Sequence, residues 1–256
     1  MNIIGIIPAR MAASRFPNKP MVEILGIPMI GHCYLRSKMC DLLDEVYIAT
    51  CDEIIVDYVN SIGGKAVLTS HEHERASERT AEALLNIEKI LSESHFDIVV
   101  MIQGDEPLIH PEMIKEVIEP LLSGEKQVSN LMMKLHSEDD INNPNNVKVV
   151  TSLQGNALYM SREAIPSDKK YKEAVDVYRQ LGLIAFTRNA LLRFVSLKMT
   201  KLEIIESVDM IRFIENEIPI YMRATNHEAD SVDIPEDLER VQKKMMTDIL
   251  FQNYKD

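Results

Sequence analysis

The sequence predicts an α/β fold, with strands and helices alternating along the chain over a largely parallel sheet covered on both faces. Three observations predict it. Residues 2–7 and 97–103 (Asp-Ile-Val-Val-Met-Ile-Gln) are short, nearly continuous apolar runs, the pattern of strands buried on both sides. Segments with apolar residues at helical spacing lie between such runs. As far as Leu122 the order is strand, helix, strand, helix, which implies parallel pairing through crossover connections.

Taken in order, residues 21–26 read as a strand or extended piece that turns at Gly26-Ile27-Pro28. Residues 28–39 place Met29, Ile30, Cys33, Leu35 and Met39 on a helix. Residues 45–50 form a buried strand, and a helix over 52–62 is capped by Asp52 and closed by Gly63-Gly64. Residues 65–69 are a third strand, and 78–92 an amphipathic helix with Ala81, Leu84, Leu85, Ile87 and Ile90 inward. Residues 111–122 are helical. The rhythm then changes. Strand candidates at 128–135 and 146–152 are divided by an acidic, Asn-rich segment, and 156–159 is short and extended. Residues 180–187 are an apolar strand, 189–196 and 203–215 helices, 218–224 a strand and 235–250 a last helix. Residues 167–177 read as a charged surface connector.

At 256 residues, 46% hydrophobic and 27% charged, the chain can bury a substantial core as one domain or two smaller ones. The simplest division is a single domain over 1–256 with an inserted subregion around 128–200. A net charge of −12 argues against a general nucleic-acid binder, yet leaves room for a local basic pocket. The three cysteines, Cys33, Cys40 and Cys51, are odd in number and lack metal-ligand spacing, which suits a reducing cytoplasm. No apolar run has transmembrane length, and the N-terminal run lacks a basic leader and cleavage site. The expectation is a cytoplasmic protein with neither membrane nor nucleic acid as partner.

The chemistry concentrates where strands end. The run Pro8-Ala9-Arg10-Met11-Ala12-Ala13-Ser14-Arg15-Phe16-Pro17-Asn18-Lys19-Pro20 follows the first strand and carries three cations, Arg10, Arg15 and Lys19. Ligands of open α/β sheets bind at the strands' carboxyl ends, so this loop suits a polyanion such as a triphosphate. Taken alone, it reads equally as a solvated basic loop. In Gln103-Gly104-Asp105-Glu106-Pro107, Asp105 stands at a strand's carboxyl end, as a carboxylate for Mg²⁺ or as a turn cap. Asp233 precedes the last helix, where a cap is the plain alternative; Glu236 or Asp237 can serve the helix while Asp233 faces a cleft. Two separated carboxylates and a cationic loop are the minimum set for phosphoryl or nucleotidyl transfer. His71-Glu72-His73-Glu74-Arg75 lacks a third metal ligand at a meaningful spacing and reads as a solvated loop with a substrate-facing member. The methionine pairs Met132-Met133 and Met245-Met246 read as core or surface filler.

Together these motifs resemble the bacterial CMP-Kdo synthetases, the cytidylyltransferases that activate 3-deoxy-manno-octulosonate. Ile7-Pro8-Ala9-Arg10 with Ser14-Arg15, Pro17 and Lys19-Pro20 is similar to their phosphate loop, and Gln103 to Pro107 to their most distinctive motif. Ala49-Thr50 with Asp52-Glu53, Asn145 with Val147-Lys148, Ala157-Leu158-Tyr159 with Ser161-Arg162, Leu181-Gly182-Leu183 with Ala185, Ile205-Glu206 with Arg212 and Glu215-Asn216, and Val232-Asp233 with Pro235 to Leu238 extend the likeness nearly end to end. The resemblance implies a three-layer, Rossmann-like nucleotidyltransferase fold on a mixed, mainly parallel sheet, and a homodimer. It implies CTP and an acidic 3-deoxy-2-ulosonate as substrates, Mg²⁺ as cofactor, and a CMP-sugar and pyrophosphate as products for lipopolysaccharide or capsule synthesis.

By the same resemblance, Pro8, Ala9, Arg10, Ser14, Arg15, Lys19, Arg79 and Gln103 bind the nucleotide. Arg10, Arg15, Lys19, Asp105 and Asp233 carry the reaction, and Asp105 and Asp233 hold the metal. Arg75, Arg79, Gln103, Gln180, Glu206 and Asp233 face the sugar. Departures from the family pattern gather on that sugar side: Arg75-Ala76-Ser77-Glu78-Arg79 replaces Ser-Gly-Thr-Asp-Arg, and Gln180 replaces a histidine. Asn18 and Cys51 also stand where glycine and aspartate are usual. Kdo and an analogue such as 8-amino-Kdo are therefore both open as acceptor. Two other readings remain: a nucleotidyltransferase for another acidic sugar or sugar phosphate, and a non-catalytic nucleotide-sugar binder. The second has no use for the whole set of cations and carboxylates.

Overall fold

The computed structural model describes residues 1–12, 16–92, 95–170 and 173–255. The chain divides into two compact units, one of Met1–Lys115 with Ala229–Asp256 and the other of Glu116–Glu228.

In the first unit, β1 (Ile3–Ala9) is buried along its whole length and pairs in parallel with β4 (Glu45–Thr50) and with β6 (Ile98–Ile102). β5 (Ala66–Leu68) adds in parallel to β4. Strands buried on both faces need no polar alternation, which is why these runs are almost purely apolar. β2 (Glu23–Ile24) and β3 (Ile27–Pro28) form a small antiparallel hairpin. Its two turn residues, Leu25 and Gly26, take φ of 49° and 87°, the positive-φ pair that a tight hairpin turn uses. Helices α1 (Met29–Ser37), α2 (Glu53–Ser61) and α3 (Ala76–Ile90) follow in turn, and α4 (Pro111–Leu122) crosses the boundary between the units. α3 buries Ala81, Leu84 and Ile87, whereas Leu85 and Ile90, expected inward, are exposed at 38% and 65%. Ser77, Arg79, Thr80, Ala83 and Glu88 complete the buried stripe, whose centre has rotated away from those two side chains.

The second unit holds β7 (Val128–Lys134), α5 (Glu138–Asn142), β8 (Lys148–Thr151), β9 (Ala157–Ser161) and β10 (Tyr178–Thr187). α6 (Arg188–Ser196), α7 (Lys201–Glu206), α8 (Ile211–Glu215) and β11 (Tyr221–Thr225) follow. β7 pairs in parallel with β11 and antiparallel with β10; β8 pairs antiparallel with both β10 and β9. The pairing in the large sheet is thus mixed: parallel among β1, β4, β5 and β6 of the first unit, of both kinds in the second.

The helix expected over 203–215 is two helices. Ser207 closes α7 in the left-handed conformation, φ 53°, and the Arg212 guanidinium turns back to make paired hydrogen bonds of 2.8 and 2.6 Å to Glu203. Both groups are buried, and Arg212 also lies 4.2 Å from the centre of the Phe194 ring. The acidic segment likewise contains a helix, α5, because the Ser137 hydroxyl accepts the Asp140 amide at 3.0 Å. β10 is not regular either. Its register with β7 shifts between Gln180 and Ile184, and the buried Asn130 amide nitrogen donates to the carbonyls of Leu181 and Leu183 at 2.8 and 3.0 Å.

α9 (Pro235–Met246) returns to the first unit and ends earlier than expected, followed by a short 3-10 turn at Phe251–Asn253. Val232, Val241, Met245 and Phe251 pack with Ile24 and Met29 in one apolar cluster. A polar network runs beside it. His32 Nε2 donates to the Ile24 carbonyl at 2.8 Å, so its Nδ1 accepts the Tyr254 hydroxyl at 2.8 Å. That hydroxyl accepts from Arg36 Nε, whose Nη2 pairs with Asp248 at 2.7 Å. Burial holds the His32 imidazole down to about 4 and pushes the Tyr254 phenol up to about 12, so both are neutral at pH 7. Among the described residues no helix is long and apolar enough to cross a membrane.

Candidate active site

The carboxyl ends of β1 and β6 lie side by side, with Ile6 opposite Met101. Their outgoing loops therefore start together, and Gly104 makes the approach possible: a Cβ there would stand 3.0 Å from the Pro8 carbonyl oxygen. The close neighbour at this glycine is the adjoining strand end of the protein itself.

A cleft of about 390 Å³ opens here, within the range of small-molecule sites. Pro8, Ala9, Arg10 and Lys19 line it from the first loop, and Gln103 and Asp105 from the second. Arg75 and Arg79 come from the start of α3, and Asp233 from the segment before α9. Ser14 and Arg15 lie outside the described residues. Every other residue expected at the nucleotide thus borders one cavity.

At its centre Lys19 Nζ stands 2.8 Å from Asp105 Oδ2 and 3.9 Å from Asp233 Oδ1. The three side chains are 14%, 28% and 31% exposed, so the cluster is partly desolvated but reachable from solvent. Asp237 caps the start of α9: the amides of Asp233 and Ile234 donate to its Oδ2 at 2.9 and 3.2 Å. Burial pushes the Asp237 carboxyl up, but these amides and Arg240 outweigh it and hold it below the usual carboxylate range. The segment is fixed to the second loop through the Val232 amide, which donates to the Asp105 carbonyl at 2.9 Å.

The residues named for the site differ in how they are engaged. Arg10 Nη1 donates to the His73 carbonyl at 3.4 Å. Arg79 is only 3% exposed and donates to the Ser70 and His73 carbonyls at 3.2 and 3.3 Å, and to Thr69 Oγ1. It organises the turn between β5 and α3 as well as bordering the cleft. The His73 ring pairs with Glu82, which also accepts the Ser70 amide. Among the described residues no group of three His, Cys, Asp or Glu side chains could hold a metal ion unaided.

The second unit contains Gln180 and Glu206. Gln180 Nε2 donates to Asn130 Oδ1 at 2.8 Å. The Glu206 carboxylate accepts the Tyr159 hydroxyl at 3.1 Å, the Ser161 hydroxyl at 2.8 Å and the Arg162 amide at 2.9 Å. Both side chains are tied into their own scaffold.

One residue near the site took a different part from the one expected. Asp52 occupies the cap position of α2 but makes no capping bond; its carboxylate accepts the Met11 amide of the first loop at 2.8 Å. The available signal was its place just past the end of β4, the strand adjacent to β1.

Comparison with known proteins gives a consistent picture. A family model described as cytidylyltransferase matches residues 4–229. The 3-deoxy-manno-octulosonate cytidylyltransferase of Thermodesulfovibrio yellowstonii is 39% identical, over 96% of this chain and 99% of its own. That of Geobacter metallireducens is 38% identical, over 96% and 98%. The solved structure of a CMP:2-keto-3-deoxy-manno-octonic acid synthetase complexed with CTP superposes with a TM-score of 0.87 at 30% identity, covering 96% of this chain and 99% of that one.

Proposed function

The chain belongs to the cytidylyltransferase family, and from that premise we propose that it transfers CMP from CTP to the anomeric hydroxyl of a 3-deoxy-2-ulosonic acid, Kdo or a close analogue such as 8-amino-Kdo. In this reaction the hydroxyl oxygen loses its proton to solvent and bonds to the α-phosphorus, the bond from that phosphorus to the β-phosphate bridge breaks, and pyrophosphate leaves. The product serves lipopolysaccharide or capsule synthesis.

The observation that carries the reading is the convergence of Asp105 and Asp233, 128 residues apart in sequence, on one cationic nitrogen in a basic cleft. This donor set suits Mg²⁺, which binds through one or two carboxylates plus substrate phosphates and therefore needs no third protein ligand. Asp105 and Asp233 would hold it; when bound, it neutralises triphosphate charge and lowers the pKa of a coordinated hydroxyl. Lys19 and Arg10, with Arg15, offset the negative charge that grows on the α-phosphate and on the departing pyrophosphate. Pro8 and Ala9 supply the rigid edge against which the nucleotide lies, and Gln103, Arg75 and Arg79 face the acceptor acid. No covalent enzyme intermediate is required. The thiol at Cys33 is buried and its pKa is pushed up by that burial, which suits it to packing and not to attack.

A homodimer fits the apolar side chains that the second unit exposes, Leu153, Leu158, Ile204 and Ile205 among them. The reading is tested by pyrophosphate release from CTP with a panel of ulosonic acids, with and without Mg²⁺. Release with at least one acid, dependent on Mg²⁺, is expected; none with any acid would overturn it.

A further inference from the structure

Asp52 lies beyond β4, whose end is in register with that of β1, Thr50 opposite Ala9. Its backbone is extended, φ −112° and ψ 115°, and its carboxylate makes no capping bond to its own helix. The acceptor at Oδ2 receives the Met11 amide at 2.8 Å. On the other side of that residue, the Met11 carbonyl accepts the Asn18 amide at 3.3 Å, with Asn18 left-handed at φ 60°. Met11 is therefore held by both its backbone groups, between Arg10 and the return of the loop into Lys19. Asp52 itself is not among the walls of the cleft; it borders a separate groove with Cys51, Thr69 and His71.

We propose that Asp52 is a positioning residue for the cytidylyl-transfer reaction, fixing the start of the phosphate loop through the Met11 amide so that Arg10 and Lys19 converge on the triphosphate. The inference rests on the function proposed above. A carboxylate on a backbone amide is a charge-assisted bond, roughly twice as strong as a neutral one, and here it restrains a segment that contributes cations at both ends.

Two variants isolate the role. Asp52→Ser keeps a good cap for α2 but is too short to reach Met11, whereas Asp52→Asn keeps an acceptor oxygen at the same reach. Hydrogen exchange of a peptide spanning residues 9–12 reads the Met11 amide directly, and steady-state kinetics reads the consequence. In Asp52→Ser, the Met11 amide is expected to exchange about tenfold faster and kcat/KM for CTP to fall about tenfold, the scale of one lost hydrogen bond to a charged group. KM for the acceptor acid should move less than about twofold, since the loop acts on the nucleotide. Asp52→Asn, whose neutral acceptor makes a weaker bond, should recover about half of both changes on a logarithmic scale. Unaltered exchange in Asp52→Ser overturns the proposal whatever the kinetics show, and an Asn variant as defective as Ser overturns the hydrogen-bond role. If the wild-type protein released no pyrophosphate with any acid, the functional reading would fall, while exchange would still decide how Asp52 acts on the loop.

Discussion

The cleft of the first unit and the strand edge of the second use similar polar side chains in opposite ways. In the cleft, Asp105, Asp233 and Lys19 face one another, partly exposed, with the lysine as the shared partner of two acids. In the second unit, the Glu206 carboxylate accepts from Tyr159, Ser161 and Arg162, and Gln180 is tied to Asn130. The first arrangement leaves groups that an incoming ion or phosphate can displace without unravelling a strand. The second makes the same chemistry part of the wall. Polarity alone does not mark a reactive group; what matters is whether its partners belong to the backbone's own scaffold.

The largest expected break in that comparison is at the carboxylates. Asp105→Asn and Asp233→Asn should each lower turnover by about two to three orders of magnitude, the scale of losing one preorganised electrostatic contact. Pyrophosphate release measures this, and circular dichroism should show an intact fold. Near-normal rates in both variants would remove them from the reaction.

Next comes Glu206→Ala, expected to destabilise the protein by about 2 kcal/mol because three donors lose a charged acceptor. Burial pushes this carboxyl up, but the Arg162 amide and the Ser161 and Tyr159 hydroxyls outweigh it and hold its pKa below the usual range. A depressed folded pKa gives stability that is full above the unfolded value of about 4.3 and lost as pH falls through the folded one. The wild-type advantage in denaturant unfolding should therefore shrink as the pH is lowered from about 5. Lost turnover without lost stability would instead move Glu206 to the ligand side. The smallest effect is expected from Gln180→His. Breaking the bond to Asn130 should shift the ratio of kcat/KM between competing ulosonic acids by about fivefold, roughly 1 kcal/mol, with less change in KM for CTP. Equal effects on both substrates would take Gln180 out of acceptor selection.

Much of the fold was legible because buried parallel strands have to be apolar: residues 45–50 and the helix 111–122 are found where the pattern put them. That Arg10, Lys19, Gln103 and Asp105 would gather at one end of the sheet was legible for a related reason, since loops at strand ends are where polar side chains can gather without breaking the core. What could not be read depended on partners distant in sequence. Glu203 and Arg212 look like ordinary charges on one amphipathic helix until the chain turns at Ser207 and buries them against each other. Asn130 looks like a polar interruption of a strand, yet it holds the irregularity of β10 in place. Asp52 looks like a cap because capping is what an aspartate before a helix usually does. Only the position of β1 beside β4 gives it another amide to bind.

The first unit is discontinuous, made from the chain's first 115 residues and its last 28. Domains emerging from the ribosome generally fold as units, at about 5–20 residues of synthesis per second. The second unit, one uninterrupted stretch, can complete itself while translation continues. The first cannot: Val232, Val241, Met245 and Phe251 of its apolar cluster, and Tyr254 of its buried polar network, are made only after the whole second unit. Asp233 arrives with them. A nascent chain that ends within the second unit therefore carries Arg10, Lys19 and Asp105 but lacks the second acid, and the charge cluster closes only after that unit has been made.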